Sequence, residues 1–483
     1  MNINTHNLWD GYSPIERRRF LFHTTIAVCC LPLYYLFPIR FGLLMMPYLL
    51  FMGLVPKNEY LFPVILHMLY GSQQRYAFIF GCFIYVLIHC LELRRYSLHW
   101  LYVFYMALLP YFLWFFWQKL HMPRFVDGVG QYIGGLFSHL LFSVAFWGAL
   151  VVKKMGRPVF RGLVLMSLTL VLLMALIGGG ASIDHGDGAG AAHTVHSFVC
   201  FFAISFLAAT CAALFSKRTH GYELEKFCAS IGCVVLALGF FQLTKLPLSF
   251  TGLGLALLSI AMVWLAAKCR KKVVLILTPL PLFIISNVIV LSSDRFVDKY
   301  RGLYKDEGEY GEMSMTSVDS VLKKLQRKVV DDRASIWAGT IRYIRNDVMR
   351  SPIWLKPAPY MEVEMETGAG NKYIAKMVMA SHNVMLNLVR NYGFYGGVGL
   401  YLVFVWFACR KKNREYLVFP LECPTLSIMA ACLAQSIIGG HTGHYPVGST
   451  VGPVIFCCYG ACWGELRYYY EKKRNYGNQE WLG

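Results

Sequence analysis

Charge is scarce in this sequence. Only 15% of its 483 residues are Asp, Glu, Lys or Arg, while 57% are hydrophobic and 16% aromatic, and the mean hydropathy is +0.47. A soluble domain of this size has no need of so much apolar surface, so a soluble globular class is excluded. Carboxylates are scarcer than cations, 27 against 46, which leaves a net charge of +19. There is no repeated CxxC pair at zinc spacing. The fifteen cysteines fall in or beside apolar runs (Cys29, Cys30, Cys200, Cys457 and Cys458 among them), and none lies in the polar stretch 293–391. Cysteine in apolar surroundings behaves as a small hydrophobe, so neither a structural disulfide nor a zinc site is expected. Internal repeats are absent. The glycine-rich piece at 178–190 follows no strand and carries no Gly-Lys-Ser/Thr, so it is not a phosphate loop. A cleavable leader is not expected either: "ERRRFLFHTTIAVCCLPLYYLF" is long, retains Pro32 and lacks a small-residue cleavage site, and it reads as a first span.

What the chain has in abundance is long apolar windows. "LHWLYVFYMALLPYFLWFFW" (98–117) and "RGLVLMSLTLVLLMALIGGG" (161–180) match the ~20 residues of a bilayer-crossing helix. Such windows recur near 20–38, 41–55, 59–74, 76–92, 98–117, 133–152, 162–178, 194–215, 227–243, 249–267, 273–292, 392–409, 420–440 and 449–468. The second and third are short, and read as half-helices or one broken element. The expected fold class is therefore an all-α polytopic membrane protein of 12–14 transmembrane helices. It divides into an N-terminal bundle (1–292), a large and partly helical periplasmic loop (293–391), and C-terminal spans with a basic cytoplasmic tail (392–483).

The cations are positioned rather than scattered. Arg17–Arg19, Arg94–Arg95, Lys153–Lys154 with Arg157 and Arg161, Lys217–Arg218, Arg270–Lys272, Arg410–Lys412 and Lys472–Arg474 all sit between spans. Short loops rich in Lys and Arg stay cytoplasmic, and with Arg17–Arg19 inside, each of these clusters falls inside, as do both termini. The partner implied by the charge is thus the lipid bilayer and not nucleic acid. The same count puts 118–132, 178–193, 244–249, 293–391 and 441–448 outside.

The long outer stretch has helical patterning. Val318, Val321, Leu322, Leu325 and Val329 recur at helical spacing, and Trp337, Ile341, Ile344 and Val348 form a stripe in "DDRASIWAGTIRYIRNDVMRSP". Arg333 lies at the edge of that stripe, Arg345 flanks it, and Arg342 faces away. An arginine at a partly dry surface suits an oxyanion, because its planar fork binds phosphate bidentately and keeps its charge. The other reading is an ion pair with Asp331, Asp332 or Asp347. In "SHNVMLNLVRNYG", Ser381 is a candidate N-cap that puts His382 in a first helical turn. The partial positive charge there favours a neutral imidazole able to accept a proton, although a histidine packed under the loop fits the same pattern.

"DDRASIWAGTIRYIRNDVMRSPIW" followed by "ASHNVMLNLVRNYGFYGGVGLYLVF" resembles the signature of the O-antigen ligase and polymerase superfamily, bacterial enzymes with one large periplasmic loop before their last spans. The residues that carry the resemblance are Arg333, Trp337, Pro352, His382, Asn383, Leu386, Gly393, Gly396 and Gly397. It covers roughly 330–410 and the span pattern. It implies a GT-C-like fold and transfer of a glycan from undecaprenyl diphosphate to an acceptor hydroxyl at the periplasmic face of the inner membrane. On that resemblance Arg333 and His382 are catalytic, Asn383, Lys245, Arg345 and Lys356 bind substrate, and no metal or other cofactor takes part. The acceptor is a glycan or lipid A–core. Two positions depart from the family. Ser249 is followed by Phe250 where an arginine is usual, with Lys245 nearby as a substitute, and Trp354 stands where a glycine usually follows the Pro turn, with Lys356 close to it.

Other signals are weaker. Asp184, His185, Asp187, His193 and His196 have loose spacing for a metal and read as a flexible polar loop. His441 and His444 read as a structural turn, Asp127 and Arg124 as solvated, and "RYYYEKKRNYG" as an interfacial anchor. A single large outer loop tilts the reading towards a ligase, with a repeat-unit polymerase as the alternative. The rival from another class is a lipid-linked glycan flippase or transporter, which calls for charged groups within the spans and for repeated halves.

Overall fold

The structure is a computed structural model, and it describes residues 8–9, 12–70, 74–95, 99–107, 109–110, 140–177, 198–216, 221–241, 243–244, 246, 250–268, 361–366, 372–377, 422–435 and 451–476. The described chain is mostly helical. In order come α1 (Pro14–Leu36), α2 (Pro38–Leu54), a 3-10 turn (Asn58–Tyr60), α3 (Leu61–Tyr70), α4 (Gln74–Ile88), α5 (Cys90–Arg95), α6 (His99–Ala107), α7 (Phe142–Val151) and α8 (Gly156–Ile177). A π turn (Phe198–Ala203) then leads into α9 (Ile204–Ser216), followed by α10 (Glu223–Phe240), α11 (Phe250–Lys268), strands β1 (Met361–Glu366) and β2 (Lys372–Met377), α12 (Cys423–Ala434) and α13 (Val451–Tyr476).

The helix starts follow from local chemistry. Ser13 caps α1 in a capping box: the Glu16 amide donates to Ser13 Oγ at 3.3 Å, and the Ser13 amide donates to Glu16 Oε2 at 2.8 Å. Pro14 occupies the first helical position, where a missing N–H costs nothing. Glu223 and Glu225 stand in the first turn of α10, where carboxylates complement the helix dipole.

Successive helices run back and forth, and their junctions meet at two ends. At one end the Tyr12 hydroxyl donates to the Met155 carbonyl at 3.3 Å, and the Lys153 amide donates to Asn58 Oδ1 at 3.2 Å. Arg157 reaches Gly221, and Tyr469 donates to Glu422 at 2.6 Å. The chain before α1, the α2–α3 turn, the α7–α8 junction, the start of α10, the start of α12 and the end of α13 therefore share one end. It holds Arg17–Arg19, Lys153, Lys154, Arg157, Arg161 and Arg467, and is called the basic end below. The α1–α2 and α3–α4 junctions lie at the opposite end, as does the chain after α10, where Leu246 packs over Gly239.

Two helix crossings are close enough to need glycine. A Cβ on Gly460 of α13 would lie 2.2 Å from the Ala145 carbonyl oxygen of α7, and one on Gly464 would lie 2.4 Å from that of Val152. Gly460 and Gly464 are four residues apart, so both face α7. A Cβ on Gly81 of α4 would meet the Leu50 carbonyl oxygen of α2 at 2.6 Å. Trp147 of α7 is fully buried, with its ring edge-on to Phe78 of α4 at 5.3 Å.

Several sequence expectations are refined here. The short windows 41–55 and 59–74 form two separate antiparallel helices, the second only 10 residues long. That gives α3 a length of about 15 Å, half the thickness of a bilayer core. The described chain is mostly helical, as the all-α expectation has it, with one addition: β1 pairs antiparallel with β2, Met361 opposite Met377 and Glu366 opposite Lys372. Among the described residues, α8 is the one helix long and apolar enough by length and composition to cross a membrane; several shorter apolar helices have 10–17 residues. The expected spans 273–292 and 392–409 lie outside the described residues.

Candidate functional site

Arg333 and His382, with Asn383, Lys245, Arg345 and Lys356, all lie outside the described residues. So do Asp184, His185, Asp187, His193, His196, His441 and His444. Lys245 is bracketed by Thr244 and Leu246, and Leu246 sits at the end opposite the basic clusters. Among the described residues no group of three or more His, Cys, Asp and Glu is placed to hold a metal ion.

Two polar assemblies are described, one at each end. At the basic end Glu225 is fully buried in the first turn of α10, facing two arginines one turn apart on α8. Its Oε1 accepts from Arg161 Nε at 2.8 Å and from Arg157 Nε at 3.4 Å. Arg157 also donates to the Gly221 carbonyl and stacks over the Tyr222 ring at 4.9 Å. Burial pushes the Tyr222 phenol up to about 12, helped by the carboxylate of Glu422, so it stays neutral beside those acids. Glu465 of α13 bonds Thr425 of α12, and Arg467 donates to the Ala149 and Leu150 carbonyls at 2.9 and 3.3 Å. Those two carbonyls end α7, so a cation there satisfies orphan acceptors and opposes the negative end of the helix dipole. This assembly ties α7, α8, α10, α12 and α13 together. Glu225 is shared by two arginines and Arg467 is held by helix-end carbonyls, so the chemistry of this assembly is that of a clamp.

A line of polar groups leads away along α1. Arg19 pairs with buried Glu59 at 3.4 Å, His23 Nδ1 bonds the Tyr48 hydroxyl at 2.6 Å, and Tyr34 bonds His67 Nδ1 at 2.9 Å. The line ends in the second assembly, at the opposite end, in the last turn of α3 and the first turn of α4. There the Gln74 amide donates to the His67 carbonyl at 3.3 Å. His67, Gln74 and Arg75 are each 2% exposed or less. His67 Nε2, Gln74 Oε1, Arg75 Nε and Arg75 Nη1 are buried without a hydrogen-bond partner among the described residues.

The sequence reading missed this second assembly. "GSQQRY" separates two apolar windows and reads as an ordinary loop. One signal was available: Arg75 is a cation in a short junction on the side that charge counting otherwise keeps poor in Lys and Arg. No family model, no curated protein and no solved structure matches the chain.

Proposed function

We propose that the chain is an integral-membrane glycan transferase of O-antigen ligase type. It moves a sugar chain from an undecaprenyl-diphosphate carrier to an acceptor hydroxyl on a glycan or lipid A–core. The observation that carries this reading is the ordered run Arg333, Trp337, Pro352, His382, Asn383, Leu386 and Gly393 ahead of an apolar segment.

The fold supports the membrane part of the reading. Phe22, Val28, Leu44, Leu173, Val234 and Trp264 are exposed on helices whose other faces form the core, as a lipid-facing surface requires. Between helices in lipid there is no hydrophobic driving force, and small residues that allow close packing take its place. The contacts of Gly460 and Gly464 with α7 have that character. The placement of the loop is supported too. α11 starts beyond Leu246 at the end opposite the basic clusters and runs back for 19 residues, while α12 starts at the basic end beside Tyr469. The intervening 269–421 therefore leave and return at one end, which suits two further crossings with 293–391 on the far, periplasmic side. Both termini are then cytoplasmic, in the inner membrane.

In this reaction the acceptor oxygen attacks the anomeric carbon and the bond to the lipid diphosphate breaks. Arg333 and Arg345 stabilise the charge that develops on the departing diphosphate, with Lys245 and Lys356 as further contacts. His382 takes the acceptor proton, and Asn383 orients the sugar. The test is transfer by purified protein in nanodiscs, from an undecaprenyl-diphosphate glycan to added acceptor. One discrete glycosylated product supports a ligase. A ladder of repeat units on the carrier assigns the polymerase, and movement of intact donor across the bilayer without transfer overturns the reading.

A further inference from the structure

The geometry points to an oxyanion site at the α3–α4 junction, with Arg75 as its cation and a phosphate or diphosphate group as its ligand. Arg75 is 2% exposed, and its Nε and Nη1 hydrogens have no acceptor among the described residues. Among those residues no carboxylate acts on it; the neighbouring group that does is the Tyr76 phenol. A guanidinium stays charged in proteins, and a buried charge with no counter-ion among the described residues favours an anion beside it.

The surroundings present hydrogens to such an anion. The Tyr34 hydroxyl and His67 Nδ1 lie 2.9 Å apart, and in the tautomer in which the phenol donates, His67 Nε2 carries a hydrogen with no acceptor among the described residues. Gln74 holds the last turn of α3 against the first turn of α4 through its bond to the His67 carbonyl. Its free Oε1 is an acceptor for a hydroxyl or a protonated phosphate oxygen. α4 has 15 residues, and its N-terminal amides and dipole add partial positive charge beside Arg75. The last turn of α3 and the first turn of α4 thus carry a guanidinium, an imidazole and a helix N-terminus close together in the chain, a set complementary to phosphate oxygens. The proposed function enters only in naming the physiological ligand, a lipid diphosphate; the anion chemistry stands without it.

The test uses full-length protein in phosphatidylcholine nanodiscs, with the thermal midpoint as readout and inorganic pyrophosphate or farnesyl diphosphate as probe. Wild type rises by several degrees. Arg75→Met, relieved of an uncompensated charge, melts above wild type in anion-free buffer and does not respond to either probe, while Arg75→Lys responds in part. Equal responses to both probes assign a site that reads the diphosphate alone, and a response to farnesyl diphosphate only assigns a lipid headgroup. The inference is overturned if wild type is indifferent to both probes, if Arg75→Met responds as wild type does, or if that variant is the less stable protein without anions. Glycan transfer is not read, so an inactive enzyme leaves this result intact, and an indifferent Arg75 leaves the transferase reading standing.

Discussion

Glu225 of α10 and Arg161 of α8 meet at 2.8 Å at the basic end of the bundle, with Arg157 completing the group at 3.4 Å from the same carboxylate oxygen. Glu225 is fully buried, whereas the two arginine side chains are 12% and 25% exposed. Removing the carboxylate therefore leaves two cations facing each other with little solvent. Glu225→Ala is expected to cost about 3–5 kcal/mol, the usual penalty for breaking a buried pair from one side. Arg161→Ala costs less, because Arg157 still neutralises the acid. Thermal unfolding of the three proteins in one detergent checks the order.

The α7–α13 crossing predicts steric failure. A side chain at Gly460 would overlap the Ala145 backbone, which no rotamer change relieves. Overpacking of a core costs about 1–3 kcal/mol even where side chains can yield. Gly460→Val should exceed that and abolish the monodisperse peak in size-exclusion chromatography. Leu173→Ala, on an exposed face of α8, should leave the peak unchanged.

Arg467 predicts a smaller effect. Arg467→Ala leaves the Ala149 and Leu150 carbonyls without their cation at the end of α7. An unsatisfied buried group costs about 1–3 kcal/mol. Hydrogen exchange in α7 should accelerate in this variant while exchange in α1 stays unchanged.

With the basic end cytoplasmic, as proposed, the grouping of junctions makes an orientation testable. Green fluorescent protein fused after Lys154 should fluoresce, and alkaline phosphatase fused there should be inactive. Fusions after Gln73 should show the reverse. The same polarity at both sites would break the alternation of α3, α4, α7 and α8.

Much of the helical framework was legible in the sequence. α8, α10 and α11 fall on the windows 162–178, 227–243 and 249–267, because a long apolar run between cations leaves few other readings. The α2–α3 pair was harder: Pro56 and Lys57 punctuate the chain, but nothing in composition distinguishes one broken helix from two short antiparallel ones. β1 and β2 follow a period of two in "MEVEME" and "KYIAKM", next to segments whose apolar residues recur at helical spacing. Arg75 stood out in the sequence only as a cation on the wrong side of the charge count, and its burial was not legible. Its burial is decided by the packing of α4 against α2 and α7, which no local pattern records. The basic clusters were read as cytoplasmic cations between spans, whereas Arg157 and Arg161 are built into a clamp with Glu225. The expected site around Arg333 and His382 rests on the residues alone, since both lie outside the described structure.

The most direct measurement of the central claim is transfer of glycan from an undecaprenyl-diphosphate donor by purified wild type, His382→Ala and Arg333→Ala at matched folded concentration. A single loss of a proton acceptor or of a diphosphate-stabilising cation removes about 10²-fold or more from such a rate. Wild-type transfer with both variants reduced by that factor is the result this account predicts. Full transfer by both variants, or none by wild type, would contradict it.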